Sequence, residues 1–139
     1  MSISLFSFRR NPDDLTRAKS VTNLCRTEVL KVAVQVVRRG GENNLHSHPN
    51  RDEIFYVLAG RVRFYTTDDE VVGELGPNDG ILVQRGDQYW FESIGDTELE
   101  LLQVAVADSP VPRDATFGGR VNHVARVDGR AEERIVGGR

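Results

Sequence analysis

From about Val29 onward, apolar and polar positions alternate in short runs, and helical spacing is absent. "VLKVAVQVV" is rich in β-branched residues and stops at Arg38-Arg39-Gly40-Gly41. "EIFYVLA" then closes at Gly60, "RVRFYT" at Thr67-Asp68-Asp69, "VVGEL" at "GPNDG" and "ILVQ" at "RGD". "QYWFES" closes at "IGDT", and "LELLQVAV" at Asp108-Ser109-Pro110. Short strands at this spacing, separated by tight turns, predict an all-β protein, an antiparallel sandwich or barrel. Upstream, "RRNPDDLTRAKS" carries one helix start, with Asn11 as N-cap, Pro12 in the first helical position, and Asp13 and Asp14 in the first turn. In the polar, Gly- and Arg-rich tail, "RVNHVARV" is strand-like and is expected to pair with an exposed edge or a partner chain. The pattern divides the chain into an N-terminal segment (1–28), a barrel (29–107) and a C-terminal extension (108–139) packing on the barrel or a partner.

With 139 residues, the chain is long enough for one domain with a real core. Its apolar runs are too short to span a bilayer, and Met1 to Arg10 lacks the continuous apolar stretch of a secretory signal. Cytoplasm is the expected location. The net charge of -3 and the scattering of arginines among acids argue against nucleic acid or a membrane as partner. The single cysteine, Cys25, has no internal disulfide partner and reads as a buried structural thiol.

Candidate chemistry concentrates in "GGENNLHSHPNRDEIFYVLAG", residues 40–60, which holds two of the three histidines. Strand alternation sends His46 and His48 to the same face. Pro49 to Asp52 make a turn, and a returning strand brings Glu53 level with the two imidazoles. Two neutral imidazoles and a carboxylate form a facial site for a divalent metal with open positions. Iron(II), manganese, nickel, copper and zinc are all admissible, and the lack of sulfur ligands argues against a closed structural zinc site. The plainer alternative is a polar loop with a surface acid.

The stretch resembles the first motif of the cupin superfamily, G-x5-H-x-H-x(3,4)-E-x6-G, with Gly40, His46, His48, Glu53 and Gly60 at every required spacing. The resemblance covers roughly Val29 to Val106 and implies a small jelly-roll barrel with a metal, Fe(II) favoured, held inside by His46, His48 and Glu53. The second cupin motif, G-x5-P-x-G-x2-H-x3-N, is degenerate. Gly86 keeps its place, but Asn78, Gln84 and Ser93 replace the first glycine, the proline and the asparagine, and Tyr89 stands where the fourth metal ligand would be. Tyr89 is then a phenolate ligand, a catalytic proton donor or acceptor near the metal, or an aromatic that fills the barrel.

Alternation carries Phe91 inward with Tyr89 and leaves Trp90 and Glu92 on the other face, where the indole needs cover from a dimer partner or the N-terminal segment. Phe55, Phe91 and Gln103 are expected to meet the substrate, although strand parity leaves Gln103 open to either face. Two function classes remain. One is a metal-dependent enzyme acting on a small organic molecule, by oxygenase or dioxygenase chemistry or as an isomerase, decarboxylase or lyase. The other is a binding cupin that catalyses nothing. A homodimer is expected, with the edge strand near Val29 to Val37 and the Leu5-Phe6-Phe8 cluster as its interface.

Overall fold

A computed structural model describes residues 3–10, 18–38 and 44–124. The described residues form ten strands: β1 (Lys19–Arg26), β2 (Leu30–Val37), β3 (Leu45–Ser47), β4 (Arg51–Ala59), β5 (Arg61–Tyr65), β6 (Val71–Leu75), β7 (Gly80–Val83), β8 (Trp90–Ile94), β9 (Leu99–Ala107) and β10 (Val121–Val124). One sheet has the order β1-β2-β9-β4-β7, a second β6-β5-β8, and β10 pairs with β3. All pairings are antiparallel. A single bridge between His46 and Tyr89 joins β3 to the lead-in of β8, so the smaller sheets share one wall facing the first.

Alternation explains how the walls close. In β4, Arg51, Glu53, Phe55 and Val57 are buried while Asp52, Ile54, Tyr56 and Leu58 are not; β9 follows the same rule from Leu99 to Ala107. The inward residues meet in a core of Val37, Phe55, Val57, Val62, Phe64, Val83, Tyr89, Phe91, Leu99 and Leu101. Phe55, Phe64 and Phe91 pack with ring centroids 5.2 to 5.8 Å apart, filling one part of the barrel. Gly60 turns β4 into β5 with φ +83°, and a Cβ there would lie 2.4 Å from the Glu98 carbonyl oxygen. Only glycine fits that approach.

Three placements differ from the sequence reading. Lys19–Arg26 is a strand, pairing along β2 from Lys19 with Val37 to Arg26 with Lys31. The run near Val29 to Val37 is therefore internal to its sheet, not an edge. Cys25 on β1 is only partly buried. Trp90 does lie on the face opposite Tyr89, but its cover comes from its own barrel. It stacks on Tyr65 at 4.0 Å with the rings 6° from parallel, joins Leu45 and Tyr65 in a separate cluster, and donates from Nε1 to Asp69 at 3.0 Å. The expected helix start at Asn11 falls outside the described residues. "RVNHVARV" contributes β10, which finds its edge on β3 of the same chain.

Candidate functional site

His46, His48, Glu53 and Tyr89 all lie inside the barrel, between 1% and 4% exposed. β3 delivers His46, and the backbone exchange with Tyr89 (His46 N to Tyr89 O 3.1 Å, Tyr89 N to His46 O 2.9 Å) sets the two side by side. Their rings lie 4.3 Å apart. Glu53 sits mid-sheet, with Val83 of β7 on one side and Ala105 of β9 on the other. Gly86 donates its backbone N–H to the His48 carbonyl at 3.0 Å. Its loop is tied to β4 where Arg85 grips Asp52 through backbone and guanidinium. Those hydrogen bonds hold the exposed Asp52 carboxyl below its ordinary range.

Each imidazole is oriented by a backbone carbonyl. Nδ1 of His46 lies 2.8 Å from the Asn44 oxygen, and Nδ1 of His48 lies 2.5 Å from the Gly119 oxygen. A carbonyl accepts only, so both Nδ1 atoms carry a proton, and on His48 Nε2 is the acceptor, since the Arg51 guanidinium beside it can only donate. The rings are 5.0 Å apart and nearly perpendicular. Tyr89 donates its hydroxyl to Glu53 Oε1 at 2.6 Å. Gln103 faces inward: its Nε2 stands 3.5 Å from both Glu53 oxygens, and its Oε1 accepts from Gln35 Nε2 at 3.0 Å.

Arg51 was missed in the sequence, where it was counted with the turn. Its guanidinium is 2% exposed. Nη2 stands 2.7 Å from Glu53 Oε2 and 2.9 Å from His48 Nε2, and Nη1 donates to the Phe117 carbonyl at 2.9 Å. The available signal was parity: Arg51 precedes Glu53 by two, so an inward Glu53 carries Arg51 inward with it.

Residues 33–105, just over half of the chain, match the Cupin domain family. The chain is a cupin. A comparison with curated proteins finds no match. Among solved structures, this cupin is similar to a protein with a double-stranded β-helix domain from Klebsiella pneumoniae, at 16% identity over 86% of this chain and 96% of the other, TM-score 0.65. It is also similar to an RmlC-like cupin family protein from Methanocaldococcus jannaschii, at 18% identity over 78% and 94%, TM-score 0.62. An oxalate oxidase matches at 18% identity with TM-score 0.58, over 76% of this cupin and 55% of the oxidase. Identities this low establish the double-stranded β-helix fold and nothing finer.

The metal implied by the cupin resemblance can be tested against the donors themselves. The sequence brings the expected residues together, but as arranged they do not fit a divalent ion. Two of the three proposed ligands, His48 and Glu53, already hold the Arg51 guanidinium, and Glu53 also accepts from Tyr89. Among the described residues, no three His, Cys, Asp or Glu side chains gather as an ion-holding group. A guanidinium does not give up its charge, so an ion on these atoms would sit against a cation.

A cavity of about 260 Å³ opens between β7 and the β6-β5-β8 sheet, lined by Phe64, Val72, Ile81, Val83, Gln88 and Tyr89 among others. Tyr89 thus joins the opening to the buried Glu53. Of the other residues expected to meet substrate, Phe55 and Phe91 are packed in the core, 1% and 0% exposed. His123, on β10, lies 2.7 Å through Nε2 from the Ser47 hydroxyl. Among the described residues, no helix is long and apolar enough to cross a membrane.

Proposed function

We propose that this cupin binds a small organic molecule bearing hydrogen-bonding groups in the cavity beside Tyr89, and that the chemistry it offers there is hydrogen bonding and proton transfer. The carrying observation is that Tyr89 lines the cavity while its hydroxyl rests 2.6 Å from Glu53. A phenol seated on a carboxylate can relay a proton: Glu53 accepts the phenol's proton as the phenol oxygen accepts one from the ligand, so that the phenol stays neutral and the carboxylate is the base. At about 260 Å³ the cavity lies just below the usual range for ligand sites, which suits a small ligand. Arg51 Nε and Gln35 Oε1 are buried without partners. Buried polar atoms left unpaired cost about 1–3 kcal/mol each, so both invite water, and neither residue lines the cavity. A cytoplasmic location belongs to the same proposal.

The metal-dependent oxidoreductase reading has one observation in its favour: both histidines are held through Nδ1 by backbone carbonyls, the outer support that metal-bound imidazoles use. The likeness to an oxalate oxidase is consistent with it. It requires Arg51 to leave Glu53, and for that reason the binding reading takes precedence.

Ligand-detected NMR against a set of small carboxylic acids, phenols and sugars tests the proposal. Hits should weaken at least about tenfold in Tyr89→Phe, given the value of hydrogen bonds to such groups, and should vanish in Val83→Trp, which fills the cavity. Hits indifferent to both substitutions would place the ligand elsewhere and end the proposal.

A further inference from the structure

Everything around Arg51 describes a position built for a cation. Glu53 supplies the carboxylate and His48 the imidazole lone pair, at 2.7 and 2.9 Å from the same Nη2. The segment Phe117 to Gly119 completes the enclosure. Phe117 accepts from Nη1, and Gly119 takes the Nδ1 proton of His48, fixing the tautomer whose Nε2 can receive the guanidinium. Between them Gly118 has φ +74°, and a Cβ there would lie 2.6 Å from Arg51 Cβ and 2.7 Å from Cδ. The C-terminal segment is glycine where the arginine stem passes under it.

We propose that Arg51 is the resident cation of this barrel: its guanidinium takes the place on Glu53 and His48 that a divalent metal would occupy, and the chain excludes metal as long as Arg51 stays. A divalent ion needs both atoms at ~2 Å, which puts it inside the contact distance of Nη2. The guanidinium differs from a metal in what it offers. It presents no open coordination position for dioxygen, and it donates hydrogen bonds in a fixed plane. The proposal stands whether or not a ligand binds beside Tyr89, because it concerns the donors alone.

The experiment titrates Co(II), whose visible spectrum reports imidazole and carboxylate ligation, and Mn(II) by calorimetry, into untagged protein. The wild type should show no saturable binding and no ligand-field bands. Arg51→Met, which keeps the stem and removes the charge, should bind one ion saturably and show the ligand-field bands the wild type lacks. That binding should disappear in Arg51→Met/His48→Ala. Arg51→Met/Glu53→Gln, which leaves no buried charge unpaired, should fold and bind no metal. Saturable Co(II) binding by the wild type that is lost in His48→Ala would overturn the proposal. So would an Arg51→Met protein that folds and takes up no ion. Should Arg51→Met fail to fold, the wild-type and His48→Ala titrations decide alone.

Discussion

Tyr89, on the lead-in to β8, donates its hydroxyl across 2.6 Å to Glu53 on β4 of the larger sheet, 36 residues away in the chain. The bond closes a polar path in the barrel: Gln35 to Gln103, Gln103 beside Glu53, and Glu53 paired with Arg51, which reaches His48. The position that would supply a fourth metal ligand in the cupin pattern instead supplies a proton donor to the third.

Tyr89→Phe should therefore destabilise the fold while leaving its shape intact. The ring still packs against His46 and Phe55, but a buried carboxylate loses a donor, at a cost of about 1.5–3 kcal/mol. Urea unfolding followed by circular dichroism measures this. An unchanged midpoint would mean that the hydroxyl contributes nothing to Glu53.

Much of this arrangement was legible in the sequence. Alternating runs gave the antiparallel strands, parity put His46 with His48 and Phe91 with Tyr89 on shared faces, and the cupin resemblance implied that His46, His48 and Glu53 face the inside. The failures have separate physical causes. β1 reads "KSVTNLCR", an edge strand whose residues are mostly half-buried, so its Asn and Arg break the apolar pattern. Parity correctly set Trp90 opposite Tyr89, but it says nothing about what lies over that face, and Tyr65 was within the chain to cover it. The turn expected over Pro49 to Asp52 hides Arg51, because β4 begins at Arg51 itself and strand parity then sends it inward with Glu53.

Tyr65 leads to a prediction at alkaline pH. Burial pushes its phenol above the ordinary value, Glu92 beside it adds to the shift, and Arg63 opposes it. A folded value above the unfolded one of about 10 means that the contribution to stability is fully present below that pH. It is lost as pH rises through the folded value. Tyr65→Phe should accordingly lose stability less steeply than the wild type above about pH 10, read from urea midpoints across an alkaline series. Parallel curves would remove the linkage.

A homodimer is proposed from surfaces the barrel leaves open. Ile3 and Leu5 are 88% and 94% exposed on the N-terminal segment, which Arg10 ties to Glu98 and Glu100. The outer face of the larger sheet also leaves Ile54, Leu82 and Val106 open. A second copy offers both an apolar segment and an apolar sheet to meet it. Sedimentation equilibrium should give twice the chain mass at micromolar concentration, and Leu5→Glu should shift it towards the monomer. A monomeric wild type would refute the pairing.

The central claim is that Arg51, and not a metal ion, neutralises Glu53 inside this cupin. Elemental analysis of the untagged protein, purified without chelator, tests it most directly. The account predicts far less than stoichiometric iron, manganese, nickel, copper or zinc in folded protein, and the same after dialysis against those ions. One tightly held metal ion per chain, lost on replacing His46 or His48 with alanine, would contradict it.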